Sequence, residues 1–140
     1  MTLDELIDRL GKATGPDVSL DYAIQSSADN DNGRGALIAP LPYTASLDAI
    51  VALVERVAPG MDWDIGHHTI ERPHYQGIMY PFAGGFTNTE EGGGALMADH
   101  FASPALALCL AFARMIRLVR NTAQEAARKP GPRLRIVAST

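Results

Sequence analysis

The stretch "SPALALCLAFARMIRLVR", residues 103–120, is the most apolar run of the chain, and its reading decides the fold. Three identities compete for it: a membrane anchor, a redox helix around Cys109, and a core helix with a basic rim. Arg114 interrupts the run well before the roughly 18 consecutive apolar residues that a membrane span needs. Ser103 and Pro104 suit the N-cap and first position of a helix. At 100° per residue, Leu108, Phe112, Met115 and Val119 fall on one face, with Cys109 and Ile116 beside them. Leu106 and Leu110 fall on another side, near Arg114, Arg117 and Arg120. A core helix with two apolar sides follows. The second side must meet another helix, a neighbour of the sheet or another subunit, and a homo-oligomer is the expectation.

Outward from this helix, the 140 residues suit one domain with a core that needs no disulfide or metal. The composition, 46% hydrophobic and 20% charged, is that of a folded chain rather than a disordered one. A net charge of −4 argues against general nucleic-acid binding, which needs a cationic surface. The single cysteine excludes an internal disulfide and a thiolate zinc cage, and points to a reducing cytoplasm. "MTLDELIDRL" (1–10) has no apolar signal-peptide core. The expected location is therefore the cytoplasm of the host cell, with no membrane partner.

Periodicity places the remaining elements. Thr2 and Glu5 form a capping-box pattern ahead of Leu3, Leu6, Ile7 and Leu10, a helix over 2–11. Asp17 caps a second helix carrying Leu20 and Ile24, and "SSADNDNGRG" (26–35) reads as a polar loop. A third helix spans about 46–58, capped by Ser46 or Thr44 and closed by Pro59-Gly60. "MDWDIGHHTI" (61–70) alternates in the manner of a half-buried strand. "YQGIMYPF" (75–82) and "GALMADHF" (94–101) read as two more. The expected fold is α+β, with a three-stranded antiparallel sheet layered with helices as an α-β-α sandwich. Residues 1–122 form the domain and 123–140 a basic C-terminal tail.

"LIDRLGKATGPDVSLDYAI" (6–24), "LPYTASLDAIVALV" (41–54), a Trp-bearing strand and "ASPALALCLAFAR" (102–114) occur in that order. Together they resemble the phage ABA-sandwich domain, a family of small phage and prophage proteins, over most of residues 3–116. "YTASLDA" and "SPALALC" are the most specific pieces. The resemblance implies helices on both faces of a sheet. It implies no activity and no catalytic residue.

The chemistry-bearing residues are weighed against packing. His67, His68, Glu71 and His74 lie within eight residues, and His100 is one strand on. Imidazole and carboxylate suit zinc or iron. Adjacent strand residues point to opposite faces, however, so His67 and His68 do not readily share an ion. His68, His74 and His100 are the best metal candidates, and a metal-dependent enzyme is the alternative function. "DNDNGRG" (29–35) departs from a calcium loop at its glycine and closing acid. The glycines of 83–94 lack the Lys-Ser/Thr of a phosphate loop, but Phe86 among them is a candidate partner anchor.

No nucleophile elbow is present, and Cys109 sits among leucines as a small hydrophobe. Arg114, Arg117 and Arg120, spaced by three residues, are candidate partner contacts. With Arg128, Lys129, Arg133 and Arg135 they support nucleic-acid binding as a further alternative. The element order is similar to that of double-stranded RNA-binding domains. Those carry lysines where this chain has "SPALAL". No cofactor is expected. The sequence therefore favours a non-enzymatic phage accessory protein that binds a protein partner or its own copy.

Overall fold

A computed structural model describes residues 1–29, 39–81 and 95–128. Its elements are α1 (Leu3–Lys12), α2 (Val18–Asp29), α3 (Leu47–Val57), β1 (Asp62–His68), β2 (His74–Tyr80), β3 (Leu96–His100) and α4 (Pro104–Arg128). The class is α+β, with an antiparallel sheet of order β1-β2-β3 packed against helices.

Local chemistry sets the element boundaries. Thr2 accepts the Glu5 N–H at 3.1 Å while the Glu5 carboxylate accepts from Thr2, a complete capping box. Asp17 Oδ1 accepts the N–H groups of Ser19 and Leu20 at 2.9 and 3.3 Å and so starts α2. Ser46 caps α3 and Ser103 caps α4, through the N–H groups of Ala49 at 3.2 Å and Leu106 at 3.1 Å. Thr44, the other candidate for α3, is buried elsewhere. Two boundaries differ from the periodic reading. Residues 26–29 belong to α2 rather than to a polar loop. α4 runs through 122 to Arg128, because "NTAQEAAR" contains no helix breaker.

The layer order is sheet, then α4, then the group α1, α2 and α3. Among the described residues the helices therefore lie on one side of the sheet, not on both as the resemblance implies. α4 is the shared partner of both outer layers. Residues 105–113 are all buried, which is how a helix apolar on every side is accommodated. Ala107 and Leu108 face the sheet, while Phe112, Ala113 and Ile116 meet Leu6 and Ile24. Both apolar sides of this helix are thus covered within one chain, so neither calls for another subunit. Val119 lies outside both contacts and is 45% exposed.

Gly77 on β2 fixes the spacing between sheet and helix. A Cβ there would stand 2.4 Å from the Ala107 carbonyl oxygen and 2.9 Å from the Leu108 Cα. Such distances lie far inside van der Waals contact, so α4 reaches the sheet only where β2 has no side chain. Alanines at 105, 107, 111 and 113 are likewise buried, so the helix is narrow on more than one side. No described helix is long and apolar enough to cross a membrane.

Candidate functional site

The sheet alternates its side chains between α4 and the outside. Toward α4 point Trp63, Ile65 and His67, then Tyr75, Gly77 and Met79, then Leu96, Ala98 and His100. The outward residues form rows across the strands. Asp62 pairs with Tyr80; Asp64, Ile78 and Met97 align; Gly66, Gln76 and Asp99 align; His68 pairs with His74, with Phe101 just beyond β3. None of these is Lys or Arg. No described helix packs on this outer face.

Its chemistry is graded along the strands. Asp62 and Asp64 make one end acidic. Ile78 and Met97 form an apolar centre, with Met97 54% exposed. Gln76 Nε2 donates to Asp99 Oδ1 at 3.2 Å, and His74 Nε2 lies 3.7 Å from the same oxygen. The far end is aromatic: His68 stacks on His74 at 4.8 Å, and His74 tilts against Phe101 at 5.7 Å. The Arg72 guanidinium lies over the Phe101 ring at 3.9 Å. Beneath Phe101, a cleft of about 420 Å³ opens between Gly11–Thr14 and Asp99–Ala102. The hairpin turn at this end holds Glu71 at φ 64°, a conformation unusual outside glycine.

The histidines do not assemble as the metal alternative requires. His68 and His74 share the outer face, whereas His67 and His100 point to the α4 side. His100 is buried, and both its ring nitrogens are engaged. Nδ1 accepts the Ala102 N–H at 3.0 Å, so Nε2 carries the proton donated to the Leu10 carbonyl at 2.8 Å. Backbone contacts thereby fix His100 as a tie between β3 and the end of α1. His67 stacks on Tyr75 at 4.6 Å. Among the described residues no three His, Cys, Asp or Glu side chains form a group able to hold a metal ion.

The three arginines of α4 diverge toward three different elements. Arg114 donates to the Met97 carbonyl of β3 at 2.9 Å. Arg117 pairs with Asp4 of α1 at 3.2 Å. Arg120 donates to the Ser27 carbonyl of α2. Each is thus engaged within the chain. Phe86, the loop 83–94 and residues 129–140 of the basic tail lie outside the described residues.

Sequence reasoning missed a second polar constellation. Asp21, 5% exposed, accepts both the N–H and the hydroxyl of Thr44 at 2.8 Å. Thr44 Oγ1 in turn accepts the Asp17 N–H at 2.8 Å. The Tyr43 hydroxyl donates to Gln25 Oε1, Gln25 Nε2 donates to Asp29 at 3.1 Å, and Arg56 pairs with Asp29 at 2.9 Å. Cys109 Sγ donates to the Tyr43 carbonyl at 3.4 Å. Burial pushes the Cys109 thiol far above its ordinary range, with the Asp21 carboxylate adding to the shift, so the neutral thiol is the favoured form. Burial likewise raises the Tyr43 phenol. "YTAS" and the cysteine of "SPALALC" are therefore joints of the fold. The acidic and amide residues of "DYAIQSSAD" (21–29) were the available signal, since polar residues inside a helix need partners once buried.

No protein-family model, no curated protein and no solved structure matches this chain.

Proposed function

We propose that this protein is a small phage or prophage accessory protein of the host cytoplasm that works by binding another protein or its own copy, without catalysis. The observation that carries this reading is the outer sheet face. It joins an apolar centre at Ile78 and Met97 to polar and aromatic rims, the composition of a contact patch rather than of a reaction centre. The phage assignment rests on the "YTASLDA" and "SPALALC" resemblance alone, and neighbouring genes for phage heads, tails or lysis would support it.

Comparative co-purification from the native host tests the contact. A partner recovered with the wild-type protein and lost with Met97→Asp, the variant remaining folded by circular dichroism, is the expected result. Equal recovery with both proteins rejects the outer face as the contact. The metal-enzyme alternative is weakened by the engaged nitrogens of His100. Stoichiometric zinc or iron that disappears in His74→Ala would revive it and overturn the non-catalytic reading. Nucleic-acid binding is likewise weakened by the intrachain bonds of Arg114, Arg117 and Arg120. Salt-sensitive retention of RNA or DNA would favour it.

A further inference from the structure

The two edges of the sheet differ. β3 is covered: α4 lies over it, Arg114 reaches the Met97 carbonyl, and His100 ties its end to α1. β1 is not. α4 touches only its margin, and Trp63 and Ile65 on its inner side are only half-buried, whereas Gly77, Met79 and Ala98 on the neighbouring strands are buried. β1 pairs with β2 in seven consecutive register positions without a bulge, and it contains no proline or lysine. The usual devices that blunt an edge strand are thus largely missing. Among the described residues no strand pairs with its other side, and the Ile65 N–H is met only by the exposed carboxylate of its own neighbour Asp64 at 2.8 Å, which a second strand would have to displace.

The sequence of this edge is complementary to itself. In an antiparallel pair of two β1 strands centred on Ile65, Asp62 stands opposite His68, Trp63 opposite His67, and Asp64 opposite Gly66. Ile65 meets its own copy. Both acidic positions that β1 places on the outer face thereby avoid another carboxylate. On the inner face an aromatic ring meets an imidazole, and two isoleucines meet over the gap that α4 leaves open. Cross-strand pairs of these kinds stabilise a sheet, whereas like charges directly opposite destabilise it. A face-to-face stack of two outer surfaces would instead bring Asp62, Asp64 and Asp99 together with the same residues of the copy, with no Lys or Arg to offset them.

We propose that two copies of this chain associate through β1, antiparallel and centred on Ile65, to form a continuous six-stranded sheet with both α4 helices on one side. This rests on the self-binding half of the function proposed above and gives it a defined geometry. A two-fold axis through Ile65 makes the contact isologous and closed, so it yields dimers rather than fibres. The outer rows then run on from one protomer into the next. The row of Asp62 and Tyr80 continues into the His68 and His74 row of the second copy.

Light scattering over a concentration series, combined with cysteine cross-linking, tests the geometry. Opposite residues of an antiparallel pair have Cα atoms roughly 4.5–5.5 Å apart, within disulfide range. Ile65→Cys is therefore expected to form a disulfide dimer on mild oxidation, while Met97→Cys on the outer face stays monomeric on a non-reducing gel. The native Cys109 is buried and does not compete. His68→Asp places a carboxylate opposite Asp62 twice per dimer, and a tenfold or greater rise in the dissociation constant is expected. The double variant Asp62→Lys/His68→Asp is expected to restore the dimer. A monomer at every concentration overturns the proposal, as does a dimer that Ile65→Cys fails to trap, one indifferent to His68→Asp, or a double variant that stays weak. A monomer that still recovers a partner through Met97 leaves the interaction module standing without this dimer.

Discussion

The polar groups around Thr44 and those on the outer sheet face belong to one chain but live under different rules. Asp21, Gln25 and Thr44 are buried, and Asp21 and Thr44 meet partners at hydrogen-bond distance. On the outer face, Asp64 accepts the N–H of its own neighbour Ile65 at 2.8 Å, and His68 stacks on His74, whose ring nitrogens lie 3.1 Å from the Arg72 carbonyl and 3.7 Å from Asp99 at the exposed turn. A buried acceptor without a partner is costly, so the first group is fixed by folding. Water can serve the second, so its contacts are dispensable to the fold. The motif-like segments "YTAS" and "SPALALC" are thus committed to architecture, and the outer face carries little of that structural duty.

Substitutions grade this contrast. The largest effect is expected at Gly77→Val, where the side chain meets α4 backbone that cannot swing away; loss of cooperative melting by calorimetry is the expected result. Phe112→Ala, deep in the contact of α4 with α1 and α2, is expected to cost about 3–5 kcal/mol in denaturant titration. Thr44→Val keeps the shape and the backbone N–H to Asp21 but removes the hydroxyl that donates to Asp21 and accepts from the Asp17 N–H, and about 1–3 kcal/mol of destabilisation is expected. A loss below about 0.5 kcal/mol would show that the buried network is no firmer than the surface.

A smaller, pH-dependent effect belongs to Asp17. Its hydrogen bond from Ser19 outweighs desolvation and holds the carboxyl below its ordinary value of 3.8. A lowered folded-state pKa favours the charged form. This contribution is present above the unfolded-state value and is lost as pH falls through the folded one. Acid titration of stability should therefore be shallower in Asp17→Asn than in wild type. Smallest of all, Gln76→Ala on the outer face should change stability by less than about 0.5 kcal/mol. A larger loss would place that face among the structural parts.

Much of the local architecture was legible because it depends on near neighbours. Thr2 with Glu5, Asp17, Ser46 and Ser103 all cap helices within three residues of themselves. The strand alternation of Trp63 and Ile65 is equally local. The layer order was not legible, because an amphipathic wheel assumes one buried face. The alanines at 105, 107, 111 and 113, read together with Gly77, were the signal for a helix enclosed on all sides. The Asp21–Thr44 contact spans 23 residues and the His100–Leu10 contact spans 90, separations to which no periodicity reaches. The same distance hid the diverging arginines, whose three-residue spacing suggested one flank until their partners Met97, Asp4 and Ser27 were known.

The position of α4 in the chain also bears on synthesis. Translation delivers α1, α2, α3 and the three strands first, at about 5–20 residues per second. Each group then has an apolar surface whose cover has not yet been made. Neither layer packs appreciably on the other, so partial folding before residues 104–116 emerge has little to gain. On the ribosome this protein should remain sensitive to chaperones and proteases until α4 has emerged, then close around that helix in one step.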